Sequence, residues 1–524
     1  MENNVRIAPV KPTMLPIPMQ LLDKIAIDHA NGHVYVDRRA AGDPNLLTWQ
    51  DRNKSNGLVF LIKPAEVDEV AKLREGGMRV SESGDDDLLV RNHAIEIITT
   101  AGKYNASDIH IMMRGNYTEI QIVVDGGLLV LKRINQEEGA ALSRAIYQGI
   151  AKTRDSSYEP LQFQSAQIPG DALPNNIGVS SVRIIRGPCY PQDSGGAFMT
   201  MRLQYVSGHK GTRLSELRPL ELPRKPQGAF MLGEMGYTPS QLDKIYTLMD
   251  APNGLILFTG PTGSGKTTAI FECLQEVARI HPDRRLVTIE DPVEKPMEWA
   301  LQMAVTGCKT DEETGDAFAE RGRVTLRLAP NNIFLGELRG PDVAVAAIEL
   351  SLTGHQVWST LHVTDPFLAV DRFEMMDNQR LARRVFCDHK LVRGVIAQRL
   401  LAKLCTECSV LLSGKPDTLS KRIIKSLQTW GDLSKVKVRG VGCSHCGHRG
   451  TSGRFAVAEI LVTDADVMVD FINHGSEVAR KNHRMKPDSD PSMIESAIKY
   501  ALAGFVDPRS IEKSIDLIEP KGKE

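Results

Sequence analysis

The sequence predicts an α/β fold built around a phosphate-binding loop, and three observations carry that prediction. The apolar run Gly254-Leu-Ile-Leu-Phe258 leads straight into Thr259-Gly260-Pro261-Thr262-Gly263-Ser264-Gly265-Lys266-Thr267-Thr268. That order of strand, glycine-rich loop and helix fits the phosphate-loop pattern at every fixed position. Three later apolar runs, Leu286-Val-Thr-Ile289, Ile333-Phe-Leu335 and Val357-Trp-Ser-Thr360, each end in polar residues, as strands of a parallel sheet buried on both faces do. Finally, the pairs Cys405/Cys408 and Cys443/Cys446 each show Cys-x-x-Cys spacing.

Each residue of the loop has a chemical reason to be there. Glycines let the backbone wrap an anion, with N–H groups and the positive end of the next helix aimed at it. Lys266 would bring positive charge to β- and γ-phosphates, and the Thr267 hydroxyl would ligate Mg²⁺. The chain is expected to bind a nucleoside triphosphate.

The bulk properties narrow the class. A length of 524 residues suggests roughly three or four domains. A formal net charge of -1 gives no basic excess toward nucleic acid. No apolar run approaches the ~20 residues that span a bilayer, and residues 1–20 lack a basic-then-apolar signal region. These features predict a cytoplasmic protein whose membrane association comes only through partners. In a reducing compartment, eight cysteines that include two close pairs read as metal binding rather than disulfides.

Taken in order, residues 1–87 are polar and weakly periodic, with one candidate strand at Gly57-Leu-Val-Phe-Leu-Ile62. Residues 88–206 read as an α+β domain. A helix carries Ala94, Ile95, Ile98 and Ala101, and Ser107-Asp-Ile-His-Ile111 reads as a strand. A hairpin turns at Asp125-Gly126-Gly127, a helix runs from 136 to 152, and strands lie near 178–186 and 197–205. Residues 207–228, rich in glycine, proline and charge, read as a linker. The nucleotide domain follows over 229–400, and its first helix sets Ile270, Cys273, Leu274, Val277 and Ile280 on one face. Pro341 suits a helix start and Gly354 a helix end. A four-cysteine segment occupies 401–454, and 455–524 reads as mainly helical, interrupted over 485–491.

Beyond the phosphate loop, three further segments carry polar chemistry: Thr288-Ile-Glu290-Asp291-Pro292-Val-Glu294, Gly336-Glu337-Leu-Arg339, and Thr353-Gly-His355 with Ser359-Thr-Leu-His362. Together they resemble the aspartate box, Walker B segment and histidine box of the secretion-ATPase superfamily. The specific resemblance is to the assembly ATPases of type IV pili and type II secretion, and it covers residue 88 to the C-terminus. It implies a RecA-like nucleotide domain after a PAS-like small domain. It also implies ATP hydrolysis with Mg²⁺, a homohexameric ring, and work on an inner-membrane platform protein.

On the residues themselves, Glu337 at a strand end is the candidate to orient the attacking water. Glu290 and Asp291 are candidates to hold Mg²⁺ or to share the base role, and the sequence does not divide that labour. His362 would contact the γ-phosphate. His355, just after a helix-ending glycine, either caps that helix or joins the nucleotide site. Family rings bring small-domain arginines to a neighbour's nucleotide, and Arg183 and Arg202 match those positions; each also reads as an ordinary surface charge. Arg323 and Arg327 match family arginines. Departures occur at Val123, Ser165-Ala166-Gln167, Gly340 and Asn331, and they bear on interdomain contacts.

Cys405, Cys408, Cys443 and Cys446 supply four thiolates for a closed, structural Zn²⁺ shell, with His445 and His448 as alternative ligands. In the family this element, followed by a segment like Gly450-Thr-Ser-Gly453-Arg454, accompanies assembly ATPases and is missing from the shorter retraction ATPases. A retraction or conjugation-type ATPase, or more remotely a nucleic-acid motor, is the competing reading.

Overall fold

A computed structural model describes residues 17–18, 21, 24–28, 33–55, 60–67, 70, 83–209, 211–212 and 216–522, with side chains of the first long helix described from Leu88. The chain divides into two compact units, Met1–His93 and Ala94–Glu524. The first holds a three-stranded sheet: β1 (Ile25–Asp28) runs antiparallel to β2 (His33–Asp37), which pairs in parallel with β3 (Leu61–Ala65). Alternation along β2 turns Val34 and Val36 inward against Leu46 and Trp49 of the helix Pro44–Ser55. The expected strand at 57–62 lies partly outside the described residues, and the described one starts at Leu61.

The helix Ser83–Lys103 crosses the division between the units. In the second unit a seven-stranded antiparallel sheet comes first. Its strands are β4 (Asp108–Met113), β5 (Tyr117–Val124), β6 (Gly127–Asn135), β7 (Thr153–Arg154), β8 (Gln164–Pro169), β9 (Val179–Pro188) and β10 (Ala197–Tyr205). Their order is β6-β5-β4-β10-β9-β8-β7. The β5–β6 turn has positive φ at both Asp125 (50°) and Gly126 (82°), the requirement of a two-residue turn that follows the strand twist. The helix expected over 136–152 is α-helical over Gln136–Arg144 and widens to a π-helix over Ala145–Ile150. Strands β7 and β8 were not expected, because their stretch carries few apolar residues: only Ala166 and Ile168 turn toward this core. The described part of 207–228 is not a free linker. Val130 donates its N–H to the Glu221 carbonyl at 2.8 Å, and Leu217 and Leu220 pack on the small sheet's core.

The central sheet adds β11 (Gly254–Thr259), β12 (Leu286–Glu290), β13 (Ala300–Ala304), β14 (Asn332–Leu335), β15 (Gln356–Leu361) and β16 (Val392–Leu404). A two-stranded ribbon of β17 (Val410–Leu411) and β18 (Lys437–Val438) stands apart, and β19 (Thr451–Val462) returns to the sheet. The order is β13-β12-β14-β15-β11-β16-β19, parallel throughout except for β19 against β16. Residues 455–462 are therefore strand and not helix. Their small and β-branched residues, Ala456, Val457, Ala458 and Ile460, are buried between layers, which suits a pleated position better than a helix face. The helices Ala465–Asn473, Ser476–Arg484, Met493–Leu502 and Pro508–Ser514 follow.

Strand β11 shows why its sequence is continuously apolar. Leu255 and Leu257 feed one core, while Ile256 and Phe258 feed the core on the opposite face. Cys273 is buried in the latter core as expected, whereas Ile280, expected on the same face, is 44% exposed at its helix end. The small sheet joins the first of these cores through Met112, Ile185 and Phe198. Two backbone hydrogen bonds pin it further: Tyr190 N–H to Gln302 O at 2.8 Å and Leu128 N–H to Asp283 O at 2.9 Å. Trp358 in β15 is fully buried, with its indole N–H on Gln356 Oε1 at 2.8 Å. Trp358→Ala should cost about 3–5 kcal/mol of unfolding free energy, read from the denaturant midpoint of the central sheet.

Candidate functional site

Parallel strands place their carboxyl ends, and the loops that follow, along one edge of the sheet. At that edge the loop after β11 turns through three glycines with positive φ: Gly260 at 147°, Gly263 at 77° and Gly265 at 85°. Two of them are also sterically required. A Cβ on Gly260 would stand 2.5 Å from the Gln398 carbonyl oxygen, and one on Gly265 3.2 Å from Gln398 Nε2. Gly263 is different, because nothing lies within 4 Å of its Cβ position. Its backbone faces open space where an anion can approach. The helix Lys266–Ile280 starts directly from Gly265 with no side-chain cap, leaving its N-terminal N–H groups to other acceptors.

A cavity of ≈ 430 Å³ opens at this point, lined by residues 262–268 together with Glu290, Asp291, Glu337, Arg339 and His362. Most of the expected nucleotide-site residues are thus brought together: Thr262, Gly263, Ser264, Gly265, Lys266, Thr267 and Thr268 from the loop, and Glu290, Asp291, Glu337 and His362 from the strand ends. Gly260 and Pro261 support the loop from behind, and their carbonyls accept from Lys266 Nζ at 2.8 and 3.1 Å. Burial lowers the Lys266 pKa, while Glu337 opposes the shift.

The two glutamates sit in different surroundings. Glu290 is 3% exposed. Its Oε1 accepts from the Thr288 hydroxyl and, at 2.9 Å, from Gln302 Nε2. Burial raises its pKa, and those hydrogen bonds pull it back. Glu337 is held from two sides: His362 Nε2 lies 2.6 Å from Oε1 and Arg339 Nε 2.8 Å from Oε2. Arg339 also reaches Asp291 at 3.5 Å. Burial and then the nearby Lys266 charge push the His362 imidazole below its usual value of 6.5, with Glu337 pulling the other way.

Expected site residues also fall elsewhere. His355 does not line the cavity. It precedes β15, whose far end carries His362, so the length of the strand separates it from the phosphate loop. Its Nδ1 lies 3.1 Å from both Leu350 O and Thr353 Oγ1, so it caps the preceding helix, and its assignment to the nucleotide site is corrected. Arg183 and Arg202 are cross-strand partners on β9 and β10. They line a separate cavity of ≈ 410 Å³ with Arg154 and Arg327, and Arg202 Nε pairs with Asp108 at 2.9 Å.

Sequence reasoning passed over the residues that brace the site. Gln398 in β16 donates to Ser264 O at 2.6 Å and accepts from the Tyr237 hydroxyl. Its neighbour Arg399 donates to Thr364 O at 3.3 Å, two residues beyond His362. Next along that loop, Asp365 meets Arg480 at 3.2 Å and Arg484 at 3.5 Å. Arg484 also grips Glu459 at 2.8 and 2.9 Å, a carboxyl pushed up to about 7 by burial. The available signal was a glutamine and an arginine, Gln398-Arg399, inside an otherwise apolar run.

A second cluster lies in 401–454. The Sγ pairs Cys405–Cys443, Cys408–Cys446 and Cys443–Cys446 stand 3.8, 3.8 and 3.9 Å apart. All four ligand atoms lie within 4.8 Å of one another. Zinc–sulfur bonds of ~2.3 Å in a tetrahedron give sulfur–sulfur edges of about 3.8 Å, whereas a disulfide needs ~2.05 Å. The cluster is compatible with zinc. N–H groups of Cys443 and Gly450 aimed at Cys446 Sγ draw that thiol down to about 6.

The sequence profile of the family described as "Type II/IV secretion system protein" matches residues 199–513. The type II secretion system protein E of Klebsiella pneumoniae is 30% identical over 382 residues, covering 72% of this chain and 67% of that protein. The type IV pilus assembly ATPase PilB of Thermus thermophilus is 28% identical over 382 residues, 73% of this chain but only 38% of that longer protein. A solved structure of the pilus retraction motor PilT with bound ADP is 21% identical, covers 80% of this chain and 96% of its own, and superposes with a TM-score of 0.39. Profile and relatives together establish that the chain belongs to the type II/IV secretion system protein family.

Proposed function

We propose that this chain is the ATP-hydrolysing motor of a type IV pilus or type II secretion assembly machine. One observation carries the reading: a single cavity sets the phosphate loop opposite Glu337, a carboxylate held by His362 on one side and Arg339 on the other. The names of the relatives, type II secretion system protein E and type IV pilus assembly ATPase, support it.

The residues suit ATP and Mg²⁺. The open backbone at Gly263 forms a cradle, Lys266 can turn from loop carbonyls to phosphate oxygens, and Thr267, Glu290 and Asp291 offer hard oxygen donors on the same cavity. Mg²⁺, when bound, neutralises charge on the transferring phosphate. Glu337 orients the attacking water, because its side chain is the more exposed of the two glutamates at the loop. Glu290, with its Oε1 engaged by Thr288 and Gln302, serves the metal side. His362 holds Glu337 and reports contact with the terminal phosphate. Arg183 and Arg202 lie outside this chain's own nucleotide cavity and act on the nucleotide of a neighbouring subunit in a homohexamer. The four cysteines hold a structural Zn²⁺. The hexamer works in the cytoplasm at the inner membrane, against a platform protein.

Glu337→Gln should lower ATP turnover by ~10²–10⁴ while fluorescent nucleotide binding is retained; unchanged turnover would refute the role. In the same assay Arg183→Ala and Arg202→Ala should each reduce turnover by ~10³–10⁵ without loss of binding, and a wild-type rate in both removes the trans role. The His362 imidazole should titrate below 6.5 by NMR, lower still in Glu337→Gln and higher in Lys266→Met. Since the unfolded chain binds this proton more readily, the group lowers stability as pH falls below about 6.5. Elemental analysis should find about one zinc per chain, and Cys446→Ser should lose the metal and unfold 401–454.

A further inference from the structure

A further cavity, of ≈ 620 Å³, lies at the opposite edge of the central sheet from the phosphate loop. Arg284 enters its wall just before β12 and Trp299 just before β13, whereas the phosphate loop follows the end of β11. The helix Lys266–Ile280 gives the scale. Lys266 lines the nucleotide cavity and Ala278 this one, about 18 Å apart at ~1.5 Å per residue.

Three parts of the chain close the cavity. The small sheet supplies Arg114 and Tyr117, the nucleotide domain Arg284 and Trp299, and the segment between them Arg224 and Lys225. That segment is fastened at both ends: Glu221 O accepts from Val130 N–H at 2.8 Å, and Gln227 O accepts from Gln275 Nε2 at 2.5 Å.

The wall carries positive charge without a matching anion. Among the described residues, Arg114, Arg224, Lys225 and Arg284 have no ion-pair partner. Of the two carboxylates on the wall, Glu119 is already engaged by Arg133 Nε and Gln121 Nε2, each at 2.7 Å, which leaves Glu298. A fifth cation stands one hydrogen bond back from the wall. Arg285, 4% exposed, donates through Nη1 to Gln121 Oε1 at 3.2 Å and likewise has no ion-pair partner among the described residues. Burial, and then the charge of Arg114, pushes its pKa down to about 9. Three donors of this group, Arg114 Nε, Arg285 Nε and the Trp299 indole N–H, are buried without an acceptor, a rare and costly condition.

We propose that this cavity is a binding site for a small organic anion that carries a planar ring and at least two negative charges. The guanidinium groups of Arg114, Arg224 and Arg284 match the paired oxygens of a phosphate or carboxylate. Tyr117 and Trp299, both half-buried on the wall, offer faces to a ring. The volume falls in the ~300–1,000 Å³ range of small-molecule sites, which occur preferentially between domains. A bare inorganic ion would leave both aromatic residues unused. A bound ligand would touch the small sheet, the segment and the nucleotide domain together, and so would tie their settings to one another.

The test uses pyridoxal 5′-phosphate as the probe on the full-length protein. Its aldehyde condenses with a lysine amine, losing water, and borohydride reduces the imine to a stable mark that peptide mass spectrometry counts lysine by lysine. Lys225 should be marked at least about tenfold faster than the exposed Lys309 and Lys390, with a rate that saturates as the probe is raised. Pyridoxal, which has the ring without the phosphate, should show no such preference. Arg224→Gln and Arg284→Gln combined should bring Lys225 to the control rate while marking of Lys266 stays unchanged, which keeps this site apart from the nucleotide cavity. Trp299→Ala should raise the half-saturating probe concentration at Lys225 at least about threefold. Unchanged circular dichroism establishes that the variants are folded. The proposal is overturned if Lys225 is marked no faster than the controls, or if pyridoxal shows the same preference. A full rate in the arginine variant, a parallel loss at Lys266, or an unchanged half-saturation in Trp299→Ala also overturns it.

Discussion

Burial of β11 on both faces is the constraint on which the rest of the site depends. Its four central residues divide between two cores, so the strand cannot slip by one residue without turning every side chain into the wrong layer. That fixes where Thr259 ends and Gly260 begins. The loop needs such an anchor, since its glycines contribute no packing of their own. The rest of its support comes from β16, where Gln398 holds Ser264 through the amide and crowds Gly260 through the carbonyl.

From this anchor the electrostatics of the cavity follow. Neighbouring parallel strands end at the same edge, so Glu290 at the end of β12, Glu337 after β14 and His362 after β15 converge although far apart in sequence. Convergence alone does not make them equivalent. One glutamate is sunk behind a hydroxyl and an amide, and the other is presented to the loop between an imidazole and a guanidinium. Exposure separates two carboxylates that look interchangeable in sequence.

Legibility in the sequence followed the strength of the local signal. Four parallel strands (β11, β12, β14 and β15), the β5–β6 turn, the phosphate loop and the cysteine spacing could be read, because periodicity, positive-φ residues and ligand spacing are local properties, whereas β13 and β16 went unread. Residues 455–462 of β19 fell within a stretch read as mainly helical, because the partner strand β16 is distant in sequence and the short run of small and branched residues carries no clear period of its own. His355 was ambiguous for a similar reason: a histidine after a helix-ending glycine reads alike as cap or ligand until the strand places it at the wrong end of the sheet. Gln398 and Arg399 escaped notice since their roles exist only through segments more than thirty residues away.

The loop beyond His362 has one more consequence. Thr364 is tied to Arg399, and Asp365 to Arg480 and Arg484, which in turn clasps a buried carboxylate on β19. The segment that carries the histidine is therefore held at two successive residues. The loop that follows the ring is thus anchored both to β16 and to the helix Ser476–Arg484, so the setting of His362 depends on residues more than a hundred positions further along the chain.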